Sequence, residues 1–165
     1  MQDKLIQFEE LALGSRLKRL SDHFMKEATK IYACLSIDFD PYHMPIFKLV
    51  AEQDELTIGE ISTLLRVTQP AVTQYINTLE KKGLIISKIG KNDRRQKKVS
   101  LSKDGKLMYT NLQPIWKLID QEIKVLTHNL NNKTLLEHIH FIESELDKQS
   151  FEDKVLSKLS MYDEK

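Results

Sequence analysis

Thr57-Ile58-Gly59-Glu60-Ile61 and, a few residues on, Thr68-Gln69-Pro70-Ala71-Val72-Thr73-Gln74 decide how this chain folds. Each stretch opens like a helix. Thr57 can accept from the backbone amide of Glu60, whose carboxylate can reach back to Thr57, a capping box with Leu56 and Ile61 at the staple positions. Thr68 is a second cap, and Pro70 sits in the first turn, where a missing N–H costs nothing. Val72, Ile76 and Leu79 then recur at helical spacing. The first helix is expected to end near Leu65 and the second at Gly83, a residue suited to a left-handed C-terminal position. Two short helices joined through Arg66-Val67 make a helix-turn-helix unit.

Downstream, Leu84 to Ile89 and Lys97 to Leu101 read as strands, with Val99 and Leu101 facing one way and Lys98 and Ser100 the other. The polar, basic stretch Gly90 to Gln96 between them is a hairpin tip, a wing. Ser102 caps a long helix whose Met108, Leu112, Ile115, Ile119, Ile123, Leu126 and Leu130 form a coiled-coil type of seam that wants a partner helix. Pro114 is expected to kink it. Asn131-Asn132 breaks it, and Leu135, Ile139, Ile142 and Leu146 continue a stripe on a further helix, with Phe151, Val155 and Leu159 on a last amphipathic piece. Upstream, one helix is expected from about Asp3 to Ile37, its stripe made by Leu17, Leu20, Phe24, Ala28, Ile31 and Leu35. Asp40-Pro41 reads as cap and first residue of the next helix, which leaves Pro45 inside its first turns at the cost of a hydrogen bond or a bend.

The net charge of +1 hides an uneven distribution. Between Thr57 and Gly105 ten cations stand against four anions, so the middle carries +6 and the flanks −5. A basic centre of this kind suits a polyanion. No secretion signal and no apolar run of membrane-spanning length is visible, and Cys34, alone, cannot form an internal disulfide, so a cytoplasmic location is expected. Cys34 reads as a small buried hydrophobe before an oxidant sensor, and the sequence leaves the second reading open. His138 and His140 point to different helix faces, and His23, Cys34 and His43 lack metal-site spacing, so neither metal nor cofactor is expected. Tyr32, Tyr42, His43, Met44 and Trp116 read as core before pocket lining. Nucleophile motifs, phosphate-cradling loops and paired catalytic carboxylates are absent, which argues against an enzyme.

Burying Val72, Ile76 and Leu79 turns Thr68, Gln69, Pro70, Ala71, Thr73, Gln74 and Asn77 outward. Amides can pair two-pronged with adenine, threonine can bond to several bases, and small apolar groups can touch a thymine methyl. No charge interrupts this face before Glu80. Lys91, Arg94 and Arg95 at the wing tip suit a narrow minor groove, and Lys97 and Lys98 on the returning strand suit phosphates. These residues are the candidate contacts to double-stranded DNA.

The two capped helices, Leu79-Glu80-Lys81-Lys82-Gly83-Leu84-Ile85, and Asp93-Arg94-Arg95 with Val99-Ser100-Leu101-Ser102 and Gly105 together resemble the MarR family of transcriptional regulators. The resemblance implies a mainly α fold with a small β wing, a winged helix-turn-helix between N- and C-terminal dimerisation helices. One domain, 1–165, would divide into dimerisation helices at about 3–37 and 102–161 and a DNA-binding lobe at about 40–101. The same resemblance implies a homodimer with helix 68–82 in the major groove and wing 90–98 in the minor groove, Arg95 being the minor-groove arginine. The expected function is that of a sequence-specific regulator, read as a repressor, with a small-molecule effector of unspecified identity as a possible partner. The alternative is a winged-helix module whose basic face meets an acidic protein.

Overall fold

The computed structural model describes residues 3–89, 97–127, 135–151 and 153–154. These belong to two compact units, Met1–Asn111 and Leu112–Lys165. The first opens on α1 (Lys4–Gln7), capped by Asp3, whose carboxylate accepts from the Leu5 amide at 3.1 Å. A 3₁₀ turn over Glu9–Ala12 follows, then α2 (Leu13–Cys34). The single N-terminal helix expected from the sequence is therefore broken. Glu9 takes φ 48°, which interrupts the helical path without a glycine or proline to announce it. The far end comes earlier than expected too, because Ser36 adopts φ 56° just beyond α2.

The sequence left Pro45 as an anomaly, and the structure removes it. Asp40 caps a 3₁₀ turn at Pro41–His43, accepting from the Tyr42 amide at 3.0 Å. The next helix, α3, begins only at Met44 and runs to Gln53. Pro45 thus occupies the first turn of α3, where its absent N–H has no intrahelical partner to lose.

Leu56–Thr57 forms a short strand, β1, which the sequence reading did not contain. Then come α4 (Ile58–Leu65), α5 (Gln69–Lys81), β2 (Ile85–Ile89) and β3 (Lys97–Leu101). The antiparallel sheet has the order β1-β3-β2, with Leu56 opposite Val99 and Ile85 opposite Leu101. Val99 and Leu101 are buried and Lys98 is exposed, the alternation expected of a one-sided sheet. The core of this lobe is Phe47, Val50, Ile61, Val72, Ile76, Leu79 and Val99, each essentially inaccessible.

Helix α6 (Lys103–Thr127) runs through Pro114, and α7 spans Leu135–Lys148. Within the seam expected on α6, Leu112 is buried, Ile115, Ile119 and Ile123 are half-buried and Leu126 is exposed. Leu130, Asn131, Asn132, Val155 and Leu159 lie outside the described residues. No helix among the described residues is long and apolar enough to cross a membrane.

Candidate nucleic-acid interface

The geometry of α4 and α5 follows from their first turns. Thr57 Oγ1 accepts from the Glu60 amide at 3.2 Å, and Glu60 Oε2 accepts from the Thr57 amide at 2.7 Å, so both halves of the capping box are made. The backbone hydrogen bond from Thr57, followed by that from its hydroxyl, holds the Glu60 carboxyl below its usual pKa. The connection to α5 is tight. Arg66 takes φ 52°, and the Ser62 hydroxyl donates to the Val67 carbonyl at 2.6 Å. Thr68 then caps α5, accepting from the Ala71 amide at 3.4 Å, with Pro70 in the first turn.

Val72, Ile76 and Leu79 are completely buried on one side of α5. On the other, Thr68, Gln69, Pro70, Gln74 and Asn77 are exposed, and Ala71 and Thr73 half-exposed. All seven residues proposed from the sequence as a reading face are thus at least partly accessible. Thr73 donates its hydroxyl proton to the Gln69 carbonyl at 2.8 Å, which leaves it lone pairs and a methyl group to offer a ligand. Gly83, at φ 71°, ends the helix in the left-handed conformation expected of it.

Lys97 and Lys98 stand at the base of the wing, and neither is an open cation. Lys97 Nζ meets Glu80 Oε2 at 2.8 Å, and Lys98 Nζ meets Glu55 Oε2 at 2.8 Å. Burial works to raise the Glu80 pKa, but hydrogen bonds, that from Lys97 foremost, outweigh it and leave the carboxyl lowered. The hydrogen bond from Lys98 lowers Glu55 in the same way. Both carboxylates were missed as parts of this surface. Glu80 is visible as the first anion on α5, but its partner lies 17 residues away, a pairing that only the packing of β3 creates. Lys91, Arg94 and Arg95 fall within 90–96, outside the described residues.

Two expectations about the flank need correction. Cys34 is exposed, not buried, because it lies on the uncovered side of the last turn of α2. Tyr42 is also exposed, while Tyr32 and His43 are buried as expected of core. Tyr32 and Tyr42 nevertheless line a cavity of about 430 Å³ together with Thr29, Phe39, Asp40 and Lys82. At its edge Lys82 Nζ, from the end of α5, meets Asp38 Oδ1 at 2.6 Å. His43 packs edge-on against Phe39 and Tyr75, with centroids 6.3 and 5.3 Å away. Its Nδ1 has no hydrogen-bond partner among the described residues, and burial, aided by Lys82 and opposed by Asp40, depresses its pKa. No cluster of metal-ligating side chains occurs among the described residues.

A two-helix unit braced by a three-stranded sheet, with long helices to either side in sequence, is the architecture of a winged helix-turn-helix fold. The MarR family model matches residues 44–97, which covers α3 through the start of β3. Over that stretch the chain is similar to the MarR family. Over 150 residues the chain is 27% identical to the HTH-type transcriptional regulator PrsX of Escherichia coli, covering 87% of this chain and 90% of that one. The fold is similar to that of MepR from S. aureus in its DNA complex, with TM-score 0.62 and 22% identity over 89% of this chain and 97% of the other. It is similar also to a mutant of MarR from E. coli complexed with operator DNA, with TM-score 0.66 and 18% identity over 88% and 99%. At such identities the likeness is one of fold.

Proposed function

We propose that this chain is a sequence-specific repressor that grips a near-palindromic DNA site as a homodimer. The observation that carries the reading is the rim of α5. Seven side chains of amide, hydroxyl or small apolar character stand outward with no charge among them, while the opposite face is sealed into the core. Such a rim suits the major groove, whose base edges it can match without meeting phosphate repulsion. The segment 90–96 between β2 and β3, whose sequence contains Lys91, Arg94 and Arg95, would meet the adjacent minor groove. MepR and MarR, the two solved relatives of this fold described above, are both seen with DNA, which supports the same use here.

Dimerisation is supported by apolar surface on the long helices. Leu17, Leu20 and Ile31 on α2, and Leu118, Val125 and Leu126 on α6, are all exposed in the single chain, more than scattered surface residues explain. Two copies would set their α5 helices about one helical turn apart on DNA. The cavity beside Tyr32 and Lys82 is the place where a small effector would act, and it would do so only by favouring one spacing over the other.

Selecting bound duplexes from a random pool, followed by gel shifts across salt concentrations, tests this function. An enriched, two-fold symmetric sequence is expected. Binding that shows no sequence preference at any salt overturns the reading and favours the protein-interaction alternative.

A further inference from the structure

Lys97 and Lys98 open β3 at the base of the wing, yet each is held by a carboxylate of its own chain. We propose that Glu80 and Glu55 limit affinity for arbitrary DNA, withholding two wing-base cations from phosphates so that binding depends on the base-reading rim. This rests on the DNA-binding reading above and deepens it.

The reasoning is electrostatic. A lysine that neutralises a phosphate releases close to one condensed counterion, and that release supplies nearly all sequence-independent affinity. A Lys–Glu pair offers no net charge to the polyanion. The pairs are partly exposed, with Lys97 and Glu80 side chains 41% and 27% accessible, so a phosphate can compete for the lysine. The carboxylate left behind would then face that phosphate, and the exchange returns little. Position strengthens the case at Glu80. It closes the uncharged rim of α5 one turn beyond Ile76, and it takes hydrogen bonds from Lys97 on β3 and from Ser87 on β2. Glu55 has a second local task, because Lys98 lies directly across the sheet from Lys88 and the carboxylate relieves their repulsion. Each carboxylate thus has a local task besides its lysine, Glu80 at Ser87 and Glu55 at Lys88, and the two variants test the proposal independently.

Full-length protein is titrated onto a random-sequence duplex and onto its selected operator between about 50 and about 200 mM salt. With Glu80→Gln, random-duplex binding should tighten at low salt and its log–log salt slope should steepen by about 0.9 for each lysine freed. That amounts to an extra loss of roughly three- to fourfold per lysine across the range. The operator should gain less, so specificity falls. Glu80→Gln with Lys97→Gln should lose the added slope, which a merely structural role for Glu80 would not predict. Glu55→Gln should act likewise through Lys98 and carries the test alone if the first variant does not fold. Wild-type slopes in both single variants, with wild-type melting, overturn the proposal, as does added slope that survives the double substitution. A wild-type protein that binds no duplex at low salt takes the regulator reading down with it.

Discussion

Gly105 stands where the start of α6 crosses the start of the wing, and its replacement by alanine gives a prediction whose size follows from the structure. A Cβ at this position would lie 1.9 Å from the Leu84 carbonyl oxygen and 3.0 Å from its carbon. Ordinary contact begins near 3.4 Å, so helix and strand would have to part by about 1.5 Å. The Leu84 oxygen already accepts from the Ser102 amide at 3.0 Å, and half that displacement carries the bond past hydrogen-bonding range. The same corner holds the Ser102 hydroxyl, which donates to the Gly83 carbonyl at 2.5 Å and caps the Gly105 amide at 2.9 Å. Overpacking costs about 1–3 kcal/mol, and the lost backbone bond about 0.5–1.5 kcal/mol more. A total near 2–4 kcal/mol should lower Tm by roughly 5–15 °C for a chain of this size. Thermal and urea unfolding followed by circular dichroism measure it. Gly59→Ala is the control, since a Cβ there meets nothing closer than 3.8 Å on α4 and should change stability by less than about 1 kcal/mol. If Gly105→Ala is as mild as its control, the crossing is not as close as described and the reasoning fails.

Arg95→Ala should weaken operator binding while leaving the melting curve unchanged, as read by gel shift beside circular dichroism; undiminished binding removes the wing tip from the mechanism. Gln74→Ala should relax sequence preference at one position per half-site by about 1–3 kcal/mol, which selection from a random pool would register. His43 predicts a pH effect. Its folded pKa is depressed below the ordinary value of 6.5 by burial, so the unfolded chain takes up a proton first. Stability is then full above about pH 6.5 and declines as pH falls below it. His43→Phe should flatten that part of the profile, and an unaltered slope would clear the imidazole of any part in it.

The helix-turn-helix was legible because its signals are local. Thr57, Glu60, Thr68 and Pro70 act within one turn, and Val72, Ile76 and Leu79 declare the buried side of α5 by spacing alone. What escaped depends on distant residues. Leu56–Thr57 becomes a strand only because Val99 and Lys98 lie opposite. The break at Glu9 has no sequence marker, and the start of α3 at Met44 was hidden by an equally plausible cap at Asp40. Within the candidate site, the rim of α5 could be read directly. The carboxylates that occupy Lys97 and Lys98 could not, since Glu55 and Lys98 stand 43 residues apart.

The Asp38–Lys82 bridge ties the far end of α5 to the segment leaving α2. With Asp38 almost fully exposed, such a tie contributes little, on the order of 0–1 kcal/mol. It is a slack mooring, able to guide the helix and easily slipped. Rising ionic strength loosens it by screening, in the same conditions that strip the protein from phosphates. On the proposed reading, salt would therefore act twice on this molecule, once at the duplex and once at the berth of α5.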